Sequence, residues 1–380
     1  MDNPPPTGNH RPMSSDATKP RDEVAARWLA FELFDPDGPE ADEILEQLAF
    51  YESVGVTPEE YAGTAPANLI AEINLRLITP GRRVERSEVE SASGLSTQQF
   101  DTVCRAAGYD PHGTFTDTDV AAFSGFSAAV DFFTPEELEA LVRVMRSLMS
   151  HLADALTAIF RIDISIPMDV AGASAGDVAR KNFESAQLMR LLPGVLEAFL
   201  MNEMASAVVR SDQSRQHLDS SNTATVKMAV GFVDIVGYTP IADRLEPDEL
   251  GQFILDFERR AADAVAAFGG RVVKLIGDEV MFVVVDPNAA FDIARALVAA
   301  FAESEATPRG GVIFGELVAR GGDYYGRLVN MASRITDLAV PGEVLTDVAT
   351  AAAATRQNFD HAGRRTLKGF TDPVELRSLA

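Results

Sequence analysis

The chain is poor in cysteine, in long apolar runs and in positive charge. Its single cysteine, Cys104, rules out an intrachain disulfide and suits a reducing compartment. No apolar run reaches the roughly 18 residues of a spanning helix, so no membrane span is expected. Lys and Arg number 33 against 57 Asp and Glu, for a formal charge of −24, which repels nucleic acid and anionic membrane surfaces. One nucleotide can still bind, because a divalent cation inverts the local field. The first 21 residues are rich in Pro, Asn, Ser and Asp and have no apolar signal-peptide core. They read as a frayed tail on a cytoplasmic protein.

A length of 380 residues exceeds one ordinary core and points to two domains. Residues 22–210 carry a helical pattern almost throughout. Thr57-Pro58-Glu59-Glu60 and Thr134-Pro135-Glu136-Glu137 have the form of helix starts, with a cap, a proline at the first position and acids that suit the dipole. A long stripe follows the second start, through Leu138, Leu141, Val142, Met145, Leu148, Met149, Leu152 and Leu156, and core packing is its plain reading. A further segment, Ala179 to Val209, is expected to break at Pro193. Ser87 to Ala107 resembles a helix-turn-helix, but its second helix offers Asp101 and Arg105 and no basic excess. A structural hairpin is therefore expected in place of a DNA reader.

Residues 211–225 are small and polar and read as a linker. From 226 to 380 the texture changes. Strands are expected at Val226–Val233, Arg271–Ile276, Glu279–Val285, Gly310–Phe314, Glu316–Arg320 and Glu343–Thr346. Helices are expected at Pro240–Phe268, Ala289–Phe301 and Leu328–Leu338. This order implies an α+β, ferredoxin-like βαββαβ fold with helices on one face of a sheet. Asp234 ends an apolar strand and Asp278 tips the next hairpin. Either acid alone is commonly a turn or cap residue; two on adjacent strand ends can hold Mg²⁺ or Mn²⁺ over a triphosphate. Gly237 follows, where backbone can approach phosphates before a helix N-terminus.

Three blocks, Phe232-Val233-Asp234-Ile235-Val236-Gly237-Tyr238-Thr239, Lys274-Leu275-Ile276-Gly277-Asp278-Glu279 and Gly322 to Arg334, resemble the signature blocks of class III nucleotidyl cyclases in order. Leu367-Lys368-Gly369-Phe370 closes the pattern, and the resemblance covers 226–380. It implies an adenylyl cyclase that makes cyclic AMP from ATP with two divalent cations. On this resemblance Asp234, Asp278 and the Ile235 carbonyl are metal ligands, and amides at Gly237, Tyr238 and Thr239 face the phosphates. Lys274 and Asp323 read adenine, where a guanylyl enzyme has other residues. Asn330 orients the ribose and Arg334 stabilises the reacting phosphorus; Lys368, and more weakly Arg320, meet terminal phosphates. Tyr238 stands where phenylalanine is commoner. The family divides these groups between two subunits, so a head-to-tail homodimer is implied.

A helical N-terminal domain ahead of this unit resembles the mycobacterial-type soluble cyclases, whose domain is autoinhibitory and in part responds to acid or to fatty acids. A small regulatory ligand, a fatty acid or a proton, is thereby implied. His112, His151 and His217 precede the catalytic blocks, and His217, in the linker, is the candidate sensor. The competing expectations are a catalytically silent cyclase-fold module and a helix-turn-helix transcription regulator.

Overall fold

A computed structural model describes residues 20–215, 225–301 and 307–380, in two compact units, Met1–Ala198 and Phe199–Ala380. The expected tail lies almost wholly outside the described residues. So do residues 216–224 of the expected linker, His217 among them.

The first unit is helical. Its helices are α1 (Arg21–Ala30), α2 (Ala41–Ser53), α3 (Leu69–Ile78), α4 (Arg86–Ser93), α5 (Thr97–Ala107), α6 (Asp117–Ala129), α7 (Pro135–Phe160), α8 (Ile166–Val170) and α9 (Ala175–Met189). Two short strands, β1 (Arg83–Val84) and β2 (Phe115–Thr116), pair antiparallel. Helix α10 (Leu192–Arg215) follows α9 after a break beside Pro193. It runs through Ser211–Arg215, where a linker was expected. Thr134 caps α7 as anticipated: its Oγ1 accepts from the Glu137 amide at 3.2 Å, and Glu137 Oε2 accepts from the Thr134 amide at 2.9 Å. The matching signal at Thr57 yields only a 3₁₀ turn, Pro58–Tyr61. Gly63 with φ +87° and then Pro66 stop propagation there.

Trp28, Leu48, Tyr51, Leu69 and Ile73 form one core that Ala179 and Ala186 of α9 close. Val89, Phe100, Val103, Cys104, Phe115 and Phe123 form a second. In the helix-turn-helix segment Arg86 is taken up by Glu90 at 2.9 Å and Asp101 at 2.8 Å, which fits a structural hairpin. The α7 stripe departs from core packing. Leu138 and Val142 are buried, but Leu141, Met145, Leu148 and Met149 are exposed. The stretch Ala175–Ser214 also contains a window apolar enough to cross a membrane by length and composition, a weak signal interrupted by Glu197 and Glu203 of α10.

The second unit holds β3 (Thr225–Ile235), α11 (Tyr238–Ala242), α12 (Pro247–Ala267), β4 (Arg271–Ile276), β5 (Glu279–Val284), α13 (Pro287–Ala300), β6 (Pro308–Arg320), β7 (Asp323–Tyr325), α14 (Arg327–Thr336), β8 (Val344–Asp347), α15 (Val348–Ala353), β9 (Phe359–Arg365) and β10 (Val374–Leu379). The sheet order is β4-β5-β3-β6-β8-β10-β9, with β7 paired to β6. All its pairings are antiparallel except β6 with β8.

Four expectations change. The helix expected over 240–268 is two, because Glu246-Pro247 starts a new one with its own capping box. The strands expected on either side of Gly315 are a single β6, since Gly315 there makes room for Leu328 and no turn forms. The β9–β10 pair was not anticipated. Finally, helices cover both faces of the sheet. β3 alternates strictly: Ala229, Val233 and Ile235 pack with α12 and α13, while Met228, Val230 and Phe232 pack with Met331, Ala332 and Ile335 of α14.

Candidate active site

β3 is an inner strand, and its end carries Asp234, which stands opposite Glu279 of β5 on one side and Arg309 of β6 on the other. The β4–β5 turn is two residues, Gly277 and Asp278. Gly277 takes φ +65° at its first position, and the Asp278 carbonyl accepts from the Ile235 amide at 3.2 Å. This bond fastens the two acids' strands together. Burial pushes the Asp278 carboxyl up, and the charge and hydrogen bond of Asp234 push it the same way. Burial, then Asp234, Asp337 and Asp278, push Glu279 up to about 7.

Arg309 was not singled out in the sequence. Its Nε and Nη2 donate to Asp234 Oδ2 at 3.1 and 3.0 Å, and its Nη1 donates to the Asp337 carbonyl at 2.8 Å. The available signal was strand length: β6 starts at Pro308 and not at Gly310, which makes Arg309 the cross-strand neighbour of Asp234.

Among the described residues no group of three or more His, Cys, Asp or Glu side chains forms a complete metal cage. Asp234, Asp278 and the Ile235 carbonyl nonetheless fit a hard cation that completes its shell with water and phosphate, since all the donors are oxygen. The push of Asp234 on Asp278 is what a cation relieves. Gly237 turns the chain at φ +82°, and Tyr238 packs on Phe253 with centroids 6.0 Å apart. The Thr239 side chain is outside the described residues.

The structure joins Lys274 of β4 and Asp323 of β7, with Nζ to Oδ2 at 2.6 Å. Burial opposes the Asp323 charge. Hydrogen bonds from Lys274 and from the Tyr324 amide, with the charges of Lys274 and Arg271, outweigh it and hold the carboxyl below its ordinary value. β7 returns from β6 through Gly321 and Gly322, both at positive φ, as a two-residue hairpin needs.

Asn330 and Arg334 lie one turn apart on α14, on one face and both exposed. Arg334 Nη1 reaches Asp337 Oδ2 at 3.2 Å, an exposed i,i+3 pair. α14 sits close on β6 at Gly311, where a Cβ would lie 2.6 Å from the Ala332 carbonyl. Lys368 is exposed between β9 and β10, and Arg320 is exposed at the end of β6. Asp323 hangs from the end of β6 whose Val318 faces Thr225, while Asp234 closes the other end of the same 11-residue strand β3.

No family model matches the chain. An adenylate cyclase of Glutamicibacter nicotianae is 32% identical over 332 residues, covering 82% of this chain and 81% of that one. One of Streptomyces coelicolor is 33% identical over 282 residues, 71% of each. A pH-sensitive adenylate cyclase of Mycobacterium tuberculosis is 28% identical over 344 residues, 85% of this chain and 84% of that one. The crystal structure of the adenylyl cyclase CyaB of P. aeruginosa is 24% identical and covers 41% of this chain and 94% of that chain, with a TM-score of 0.38. The first of these likenesses runs through both units at about a third identity, and with it the chain belongs to the class III adenylate cyclase family.

Proposed function

We propose that the chain converts ATP to 3′,5′-cyclic AMP and pyrophosphate as a head-to-tail homodimer with shared sites, restrained by its helical unit. The observation that carries the substrate is the Lys274–Asp323 pair. Adenine offers an acceptor at N1 and a donor at N6, and an ammonium beside a carboxylate offers the complement. Guanine reverses both, and a site whose polar groups are left unpaired rejects the mismatch.

Asp234, Asp278 and the Ile235 carbonyl would hold two divalent cations, Mg²⁺ or Mn²⁺. When bound, these lower the pKa of the ribose 3′-hydroxyl and neutralise charge on pyrophosphate. The chain supplies the positioning. Backbone amides at Gly237, Tyr238 and Thr239 face the phosphates, Asn330 orients the ribose, and Lys368 meets the terminal phosphates. As the 3′-oxygen bonds to the α-phosphorus and the bond to pyrophosphate breaks, Arg334 stabilises the crowded phosphorus. Arg309 keeps the Asp234 carboxylate aligned.

Sharing is supported by the family resemblance and by strand register: Asp323 follows the end of β6 that faces the start of β3, and Asp234 lies at the far end of β3. The exposed Leu141, Met145, Leu148 and Met149 of α7 supply an apolar face for self-association. The test mixes two full-length variants, Asp234→Ala and Arg334→Ala, assayed with ATP and Mn²⁺ for cyclic AMP and pyrophosphate. Each alone should lose on the order of 10³ in rate. Random pairing gives half mixed dimers with one intact site in two, so mixing should restore about a quarter of wild-type activity. No recovery sinks the shared site, and a wild-type chain that makes no cyclic AMP sinks the activity itself.

A further inference from the structure

Arg271 and Lys274 stand three positions apart on β4, a spacing that sends side chains to opposite faces of a regular strand. β4 is not regular. Against β5 it runs Arg271 to Val283, Val272 to Phe282 and then Lys274 to Met281, which leaves Val273 as an extra residue. Val283 and Met281 belong to the core under α14, whereas Phe282 belongs to the core under α12 and α13. The bulge therefore returns Arg271 and Lys274 to one face, the face that also carries Tyr324.

On that face Arg271 is engaged twice. Its Nη2 donates to the Gly322 carbonyl at 3.1 Å, and its guanidinium carbon lies 5.5 Å from the centroid of the Tyr324 ring. Gly322 and Tyr324 are the two neighbours of Asp323. The Asp323 carboxylate is itself divided, with Oδ1 on the Tyr324 amide at 2.8 Å and Oδ2 on Lys274 at 2.6 Å. β7 has three residues and, among the described residues, only β6 as a strand partner, so its own ladder holds it weakly. A planar guanidinium can bond a carbonyl and lie over a ring at once, which an ammonium cannot.

We propose that Arg271 is a positioning residue for base recognition. Placed by the Val273 bulge, it clamps the residues on both sides of Asp323 and so sets the spacing of Asp323 from Lys274. This rests on the assignment of those two residues to the base, and the test separates the two ideas. Full-length wild type, Arg271→Met, Arg271→Lys, Tyr324→Leu and Asp323→Ala are compared for kcat and KM with ATP, and with GTP as substrate or competitor, in Mn²⁺.

Arg271→Met should lower the ATP-over-GTP ratio of kcat/KM about tenfold, mainly through KM for ATP, with the thermal midpoint held. Arg271→Lys, which keeps the charge and a donor but not the planar group over the ring, should fall between wild type and Arg271→Met. Tyr324→Leu should move it in the same direction as Arg271→Met, and it decides the matter should Arg271→Met fail to fold. If Asp323→Ala abolishes the preference while Arg271→Met and Tyr324→Leu leave it unchanged, the clamp is wrong and the base assignment stands. If Asp323→Ala leaves the preference unchanged, both are wrong.

Discussion

In the helical unit Tyr51 and Tyr61 are each pushed up to about 12, and Cys104 is pushed up to about 11. Burial is the first cause in all three. In the second unit Asp278 and Glu279, where two strands meet, are pushed up as well, and neighbouring acids add to burial. The contrast separates two uses of desolvation. A phenol or thiol sunk among rings stays neutral and serves packing. Acids crowded at a strand end keep a field that only a cation or an arginine balances, and that is where chemistry collects.

Three perturbations test how separate the two units are. The largest expected effect is at Phe123, which is fully buried and lies 4.8 Å from Phe100 and 5.9 Å from Phe115 between centroids. Phe123→Ala should cost the helical unit about 3–5 kcal/mol. Trp28, the chain's single tryptophan and wholly buried in that unit, reports it by fluorescence during urea unfolding. Cyclic AMP output that rises as the Trp28 signal is lost supports restraint by the helical unit. Activity that vanishes in step with that signal breaks the division.

Gly311→Ala is the counterpart in the second unit. Its Cβ would press within 2.7 Å of the Thr336 amide, costing about 1–3 kcal/mol and shifting α14. Turnover should fall about tenfold with the Trp28 transition unmoved; a moved transition would show the units coupled.

The smallest effect is alkaline. Free in the unfolded chain, the Cys104 thiol ionises near 9.0, while the folded chain holds the proton to about 11. Between those values unfolding releases a proton, so stability falls as pH rises, by at most about 1.4 kcal/mol per pH unit. Cys104→Ala should flatten the Trp28-monitored stability between pH 9 and 10, below the tyrosines. An unchanged slope would show the thiol is not the cause.

Much of the second unit is legible in its sequence because its signals are local. Apolar runs mark the strands, Gly277-Asp278 marks a turn, and helical spacing puts Asn330 beside Arg334. What escapes depends on register and on partners. Arg309 matters only because a strand starts two residues early and meets Asp234. The Val273 bulge is invisible without β5, and nothing local tells that α14 covers one face of the sheet while α12 and α13 cover the other. In the first unit Thr57 and Thr134 carry the same cap signal, and Gly63 and Pro66 downstream decide that only Thr134 opens a long helix. Periodicity placed the α7 stripe on one face but could not say whether that face is covered.

The bulge in β4 has a second consequence. β4 and β9 are the two outer strands of the sheet, and each departs from regular register against its inner neighbour, β4 beside Val273 and β9 opposite Leu376 and Arg377. A sheet whose rims are kinked, with Arg271 and Lys274 straddling one kink, offers no flat ladder for another chain to extend. Those two rims are thus guarded against fibre-like growth.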